Sequence, residues 1–198
     1  MTISLRSWMR VVWTSVTQPA DMASDVLAMR FPRDALWTAL ALVDVLNVML
    51  LGVLQFVSPE AAATQDQIIS VSPFGFLAII GAFLTFLVFM LVHAGRMMGG
   101  DGTIEGTLTL LVWFQAVSLT LEGIQVLLVL VSPPIAAIFG LMSLGAIIWV
   151  FVNLVNVLHG LANLGKAIVV IFLALIGTVL GTGLVMGMMG ITPPGGGL

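Results

Sequence analysis

Residues 106–158 read GTLTLLVWFQAVSLTLEGIQVLLVLV, then SPP, then IAAIFGLMSLGAIIWVFVNLVNVL, and this stretch decides the fold. A bilayer core of about 30 Å is crossed by roughly 20 helical residues, so the stretch is too long for one crossing. Pro133 and Pro134 cannot continue a helix through the middle of the run, because proline lacks an N–H and clashes with the preceding turn. The sequence therefore predicts two spans joined by a tight hairpin at Ser132-Pro133-Pro134.

The composition of the whole chain indicates that lipid is its solvent. Of the 198 residues, 60% are hydrophobic and only 8% are charged, and the mean hydropathy is +1.21. A soluble domain carries about 25% charged residues, because water must solvate its surface. We predict an all-α integral membrane protein with five transmembrane helices plus a short N-terminal cytoplasmic amphipathic helix. The predicted organisation is a segment of residues 1–34 and a membrane domain of residues 35–198, with spans at about 35–57, 73–94, 106–131, 134–158 and 167–189.

The basic residues indicate the orientation of these spans. All of them fall on one side of a five-span arrangement, namely Arg6, Arg10, Arg30, Arg33, Arg96 and Lys166. Because cytoplasmic loops carry the excess of Lys and Arg, we expect the N-terminus in the cytoplasm and the C-terminus outside. The expected location is a bacterial cell (inner) membrane. Any other number of spans would scatter the basic residues over both sides.

The segment before the first span has two different faces. The apolar face consists of Leu5, Trp8, Met9, Val12, Trp13 and Val16, and the opposite face consists of Arg6, Arg10, Thr14 and Thr17. This pattern predicts a helix in the cytoplasmic interface, with Trp8 and Trp13 at headgroup depth and Arg6 and Arg10 toward anionic lipid. The alternative is a short amphipathic helix that packs against the bundle.

Polar side chains occur inside the predicted spans, where hydrocarbon should exclude them. This intramembrane polar cluster consists of Asp44, Asn47, Gln115, Ser118, Glu122, Gln125, Asn153 and Asn156. A charged group at the bilayer centre costs about 2.5–3.5 kcal/mol, so we expect these side chains to face protein or water. Two interpretations stay open. The cluster is either a proton or solute path, or a set of interhelical hydrogen bonds that hold a small bundle together.

The fifth span carries two pairs of glycines spaced four residues apart, Gly177 with Gly181 and Gly183 with Gly187. Small residues at this spacing let helix backbones approach closely, which predicts packing within the chain or in a dimer. No catalytic motif, cofactor motif or metal-ligand set is recognisable, and the chain has no cysteine. We therefore expect no enzymatic activity and no cofactor. His159 is expected to cap a cytoplasmic helix end rather than to bind a metal.

Short motifs along the chain resemble those of a known family. They are Thr17-Gln18-Pro19, Gly99-Gly100-Asp101-Gly102-Thr103, His159-Gly160-Leu161 and Gly165-Lys166-Ala167. Their arrangement resembles the bacterial branch of the Yip family, five-pass membrane proteins named for interaction with Ypt/Rab GTPases. The resemblance implies the five-span topology and no catalytic residues. Eukaryotic members bind Rab GTPases through a longer N-terminal region with an Asp-Leu-Tyr-Gly-Pro type motif, which this chain lacks because it has no tyrosine.

These observations predict a Yip-like, non-enzymatic multi-pass protein that organises membrane lipid or partner proteins. The expected partners are membrane lipids and, through the glycine-lined helix faces, other membrane proteins or a second copy of the chain. Nucleic acid is not expected as a partner, because the sequence contains no basic run. The alternative function is a small transporter or channel that uses Asp44 and Glu122.

Overall fold

The computed structural model describes residues 4–57 and 73–188, and this part of the chain is almost entirely helical. Its helices are α1 (Leu5–Thr17), α2 (Pro19–Ala28), α3 (Arg33–Val57), α4 (Pro73–Met97), α5 (Ile104–Val131), α6 (Pro133–His159) and α7 (Leu164–Met188). The last five are long and apolar enough to cross a membrane, and the described residues contain no strand. The predicted fold class is therefore confirmed.

The long helices match the predicted spans and extend beyond them at one end of the bundle. α3 begins at Arg33 instead of residue 35, and α5 begins at Ile104 instead of residue 106. Charged residues lower the local hydropathy without ending a helix, and Arg33 pairs with Glu105 there at 3.8 Å between Nε and Oε1. The predicted outer loop at residues 58–72 and the tail at residues 189–198 lie outside the described residues.

The predicted hairpin between the third and fourth spans is confirmed. α5 ends at Val131, Ser132 is extended, and α6 begins at Pro133, where the missing N–H of proline costs no helical hydrogen bond. The other end of α6 is closed by Gly160, which adopts a left-handed conformation with φ of 60°. Glycine suits this position because it has no Cβ to clash with the backbone.

The buried apolar residues concentrate in the half of the bundle near the α4–α5 and α6–α7 loops. One cluster joins α3, α4, α5, α6 and α7 and includes Leu36, Leu40, Val88, Leu91, Leu108, Val155 and Val170. Many large apolar side chains on the outer faces of the helices are exposed, among them Leu141, Phe172 and Leu184. This distribution is expected for a bundle whose outer surface contacts lipid.

We call the end of the bundle that carries Arg33, Arg96 and Lys166 the basic end. It contains the start of α3, the loop between α4 and α5, and the loop between α6 and α7. The two short helices, α1 and α2, form a segment that we call the N-terminal arm. The arm packs against α5 and α6, with the contacts of α2 more extensive than those of α1.

Candidate functional site

The N-terminal arm runs along the bundle and away from its basic end. Near that end, a side chain of α2, Leu27, lies next to Gly106 of α5. Deeper in the bundle, the indole Nε1 of Trp113 donates to Ser15 Oγ at 3.2 Å, and the indole Nε1 of Trp8 donates to Thr120 Oγ1 at 3.1 Å. The residue numbers of the arm fall as those of α5 rise, so α1 is antiparallel to α5.

These contacts divide the surface of α1 into three sectors. Val12 and Ser15 are buried against the bundle, and Trp8 is half-buried with its ring 6.0 Å from that of Trp113. A second sector is apolar and exposed, and Trp13 keeps 69% of its surface accessible. The third sector contains Arg6, Arg10, Ser7 and Thr17, all exposed. The contacts match the alternative of an amphipathic helix packed on the bundle, and lipid contact by Arg6, Trp8, Arg10 and Trp13 stays a prediction.

The depth of the two arginines follows from the register of α1 on α5. The hydrogen bonds pair residue 8 with 120 and residue 15 with 113, so Arg10 is level with about Ser118 and Arg6 with about Glu122. α5 has 28 residues and is about 42 Å long, which places Arg10 near the middle of the helix. Within residues 4–57 and 73–188, neither guanidinium makes an ion pair or a side-chain hydrogen bond.

An apolar cleft lies between α1 and the two helices that it contacts. Its volume is about 310 Å³, and α1 contributes Met9, Val12, Trp13 and Val16 to its wall. The opposite wall consists of Leu121, Ile124, Phe139, Met142, Ser143 and Ala146. All of these side chains are apolar except Ser143, which is buried. The cleft is therefore suited to a hydrocarbon chain and not to a polar ligand.

The intramembrane polar cluster is divided among separate places. Asp44 is buried at a cavity of about 120 Å³ between α3 and α4, and its Oδ1 has no hydrogen-bond partner among the described residues. A Cβ on Gly81 of α4 would lie 3.0 Å from the other carboxyl oxygen, so the glycine leaves room for the carboxyl group. Trp37 and Thr85 also line this cavity, whose volume is large enough for several water molecules at about 10–15 Å³ each.

Three other members of the cluster do lie together, on the opposite interface of α3. Asn47, Glu122 and Gln125 line a cavity of about 160 Å³ between α3 and α5, with Glu122 exposed at its edge. Asn47 donates its side-chain amide to the carbonyl of Val43 at 2.8 Å. The amide of Gln125 packs against Gly140 of α6. Asp44 and Glu122 therefore line different cavities.

The remaining members of the cluster serve local roles or stand apart. Asn153 donates to the carbonyl of Trp149 one turn earlier, at 2.8 Å. Asn156 Oδ1 accepts from the backbone N–H of Asn163 at 3.0 Å, which ties the end of α6 to the start of α7. Ser118 is buried without a hydrogen-bond partner among the described residues, and Gln115 is half-buried. These side chains form no continuous chain with Asp44.

The two glycine pairs of α7 face different surroundings. A Cβ on Gly177 would lie 2.6 Å from Met90 Sδ, and one on Gly181 would lie 2.8 Å from Phe86 Cδ1, both on α4. Gly183 and Gly187 have no neighbouring atom within 4 Å of such a Cβ among the described residues. The first pair thus serves the contact of α7 with α4. The second pair faces the outside of the bundle.

His159 and the loop between α4 and α5 form a structure that the sequence motifs did not reveal. The imidazole is 99% buried, and its Nδ1 accepts from the backbone N–H of Gly102 at 3.2 Å. A Cβ on Gly95, Gly100 or Gly102 would collide with His159, so we call these three residues the glycine cradle. The described residues contain no group of metal ligands. His159 therefore joins the end of α6 to the loop.

Comparison of the chain with protein families gives a match that covers most of the helices described above. The Yip1 domain matches residues 13–185, from the middle of α1 almost to the end of α7. The chain belongs to the Yip1 domain family. No curated protein and no solved structure is significantly similar to it.

The Yip1 match contains the glycine cradle, His159 and the second half of α1. The resemblance based on short glycine motifs is thus confirmed at the level of the family, and the bacterial branch stays a prediction. The sequence signal for the cradle was the presence of three closely spaced glycines, Gly95, Gly100 and Gly102, together with a histidine far away in the chain. It could not be interpreted without a structure, because nothing in the sequence says which side chain fills the space beside a glycine.

Proposed function

We propose that this Yip1-domain protein is a non-enzymatic membrane protein that organises the lipid around it through its N-terminal arm. The observation that carries the proposal is the position of Arg6 and Arg10. Both are exposed, both lack an ionic partner among the described residues, and both lie deep along α5. A phosphate headgroup supplies the missing partner, because guanidinium binds phosphate with two parallel hydrogen bonds.

Lipid must rearrange to reach these side chains. An arginine at the centre of a bilayer costs about 2.5–3.5 kcal/mol on insertion scales, and local thinning and water entry reduce that cost. The arm would therefore draw headgroups and water toward itself and thin the adjacent leaflet. The apolar sector of α1, with Met9 and Trp13, would keep acyl chains beside the same helix. Lipid organisation is then a direct consequence of an amphipathic helix held at this depth.

The proposed orientation has the basic end in the cytoplasm of a bacterial cell. Arg33, Arg96 and Lys166 support it through the positive-inside rule. In this orientation α2 lies at the cytoplasmic end of the arm and α1 extends from it into the bilayer, so Arg6 and Arg10 lie at membrane depth and not beside the cytoplasmic basic residues as the sequence pattern suggested. Reporter fusions at Asp101 and Asn163 should give cytoplasmic signals, and a fusion at Leu198 should give an external signal. A cytoplasmic signal at Leu198 would contradict this orientation.

The lipid proposal is tested by the mobility of spin-labelled lipids around the purified protein. Protein in vesicles should immobilise labelled phosphatidylglycerol several-fold more than labelled phosphatidylcholine, because each arginine gains about 1 kcal/mol beside an anionic lipid, whereas the choline ammonium offsets the phosphate charge of phosphatidylcholine. The double variant Arg6→Gln/Arg10→Gln should lose most of this preference. Lys166→Gln removes one exposed charge at the basic end and serves as the matched control. An unchanged preference in the double variant would refute the role of the arm.

A second candidate function is a small transporter or channel, and the cavities at Asp44 and Glu122 favour it. Asp44 is buried beside a cavity, and its Oδ1 has no hydrogen-bond partner among the described residues. A water molecule in the cavity would supply that partner, and a bound proton would neutralise the charge of the carboxyl group. The two carboxyls line separate cavities, which counts against one shared path. Proton or cation flux in vesicles distinguishes the candidates. A flux that disappears in Asp44→Asn or Glu122→Gln would rank transport above lipid organisation.

A further inference from the structure

One exposed sector of the arm is polar along both of its helices, beside the exposed apolar sector that contains Trp13. On α1 it consists of Arg6, Ser7, Arg10 and Thr17, and on α2 of Asp21, Ser24 and Asp25. The buried faces, which include Val12 and Val26, contact the bundle, so the polar face points away from α5 and α6. We call this row of exposed side chains the polar track. It is unusual because it lies on the side of the arm where lipid would be expected.

The polar track leads from the basic end to the middle of the bundle. Leu27 lies beside Gly106, and Arg10 is level with about Ser118, so the two points differ in depth by roughly 18 Å. The hydrocarbon core is only about 30 Å thick. When the helix is centred on that core, about 15 Å of the track lies within hydrocarbon, so polar side chains replace hydrocarbon over about half of the thickness.

Little hydrocarbon remains beyond the inner end of the track. Arg6 is level with about Glu122, which is nine residues before the end of α5. If the 42 Å helix is centred on a 30 Å core, roughly 8 Å of hydrocarbon separate Arg6 from the opposite headgroups. An extended arginine side chain together with local thinning of the opposite leaflet can bridge that distance.

An apolar surface accompanies the track along α1. Trp13 is seven residues from Arg6, so the two side chains are about 20° apart around the helix axis and lie side by side, not on opposite faces as the sequence pattern predicted. Trp13 and Met9 open into the apolar cleft of about 310 Å³, whose far wall includes Phe139 and Met142. A charged row next to a hydrocarbon-lined cleft matches the two parts of a phospholipid. The headgroup fits the track and an acyl chain fits the cleft.

We infer that this protein provides a passive path for phospholipids between the two leaflets, with the headgroup moving along the polar track and the chains remaining in lipid and in the apolar cleft. The inference rests on the proposed function, because it needs the arm at membrane depth. The headgroup enters at the α2 end of the track, where Asp21 and Asp25 attract the ammonium group of a zwitterionic lipid, and its phosphate is then held in turn by Arg10 and Arg6. No energy source is required, since the path only lowers the free-energy barrier to moving a headgroup through the hydrocarbon core, in both directions alike.

The test is a leaflet-exchange assay on the full chain in vesicles of phosphatidylcholine and phosphatidylglycerol that contain a trace of phosphatidylcholine with a fluorescent chain label. A membrane-impermeant reductant bleaches only the outer leaflet of protein-free vesicles. With the protein, the inner-leaflet label should also become accessible. Arg6→Gln and Arg10→Gln should each slow this exchange about tenfold, because a charge-assisted phosphate contact is lost from the path.

Matched variants separate the path from general effects on folding. Arg6→Lys/Arg10→Lys keeps both charges and should retain exchange within a few-fold of the wild type. Lys166→Gln should leave the rate unchanged, because Lys166 lies at the start of α7, whereas the arm packs against α5 and α6. Equal elution volume and helicity among the variants would establish that each one is folded.

The results of the leaflet-exchange and spin-label assays test the path, the track and the proposed function separately. Exchange no faster than in protein-free vesicles overturns the inference, and exchange that is equally fast in Arg6→Gln/Arg10→Gln overturns the assignment to the track. If the spin-label assay shows the preference for phosphatidylglycerol while exchange is absent, lipid organisation stands and the path is refuted. If both are absent, the proposed function fails as well.

Discussion

The glycine cradle predicts that Gly95→Ala destabilises the protein when His159 is present and does not destabilise it when His159 is replaced by alanine. A double-mutant cycle can measure this difference. In Gly95→Ala, the new Cβ would collide with Cε1 and Nδ1 of His159, so the imidazole must move. Overpacking of this kind costs about 1–3 kcal/mol. Displacement also weakens the Gly102–His159 hydrogen bond, which contributes about 0.5–1.5 kcal/mol. Replacement of a helical glycine by alanine returns up to about 1 kcal/mol, so the net loss is about 0.5–4.5 kcal/mol.

The assay is thermal unfolding of the purified protein in detergent micelles, followed by tryptophan fluorescence. For a chain of this length, 1 kcal/mol corresponds to about 2–4 °C, so Gly95→Ala should lower Tm by about 1–18 °C. In a His159→Ala background the collision is absent and only the helix propensity remains. There, Gly95→Ala should leave Tm unchanged or raise it slightly.

The difference between the two backgrounds is the coupling energy, which reaches about 0.5–3 kcal/mol for residues in contact. Gly52→Ala is a suitable control, because a Cβ at that position meets no atom within 4 Å among the described residues. The same change of Tm for Gly95→Ala in both backgrounds would refute the reasoning. The imidazole would then not occupy the space beside Gly95.

Three further predictions concern the helix contacts. Gly181→Ala should lower Tm because its Cβ would collide with a phenylalanine ring of α4, whereas Gly183→Ala, in open space, should leave Tm unchanged or raise it. Asp44→Asn should unfold at a higher temperature than Asp44→Leu, because only the amide can still hydrogen-bond to water in the cavity; the reverse order would contradict this. Trp8→Phe should destabilise the protein by about 0.5–1.5 kcal/mol, because it loses the hydrogen bond of Trp8 to α5. Trp13→Phe should have a smaller effect. Equal effects of the two substitutions would indicate that the arm is not docked on α5.

The positions of the spans could be predicted from the sequence because hydrocarbon imposes a simple length requirement. Each apolar run had to reach about 20 residues, and Pro133 and Pro134 could not lie inside a helix. The ends were less predictable. At the basic end, Arg33 and Glu105 belong to helices although their charges lower the hydropathy, since helical hydrogen bonding continues into the headgroup region.

Which helix faces meet could not be predicted from hydropathy. In lipid, an outward leucine and an inward leucine have similar environments, so no apolar stripe marks the contact face. The polar residues and the glycine pairs of α7 were the guides, and the polar residues divided among separate places. Asn47, Glu122 and Gln125 came together, whereas Asp44 lies at the α4 interface beside a glycine that has no polar signal of its own.

The N-terminal arm shows why an amphipathic pattern does not determine location. A helix with apolar and basic faces has the same pattern whether it lies in the headgroup region or against other helices. Ser15 and Thr120 make the difference here, because each binds an indole N–H that would otherwise stay at the water interface. Both are small hydroxyl residues that hydropathy scales treat as nearly neutral. The depth of Arg6 and Arg10 therefore depends on two side chains whose importance is visible only in the packed structure, and the function proposed for the arm depends on that depth.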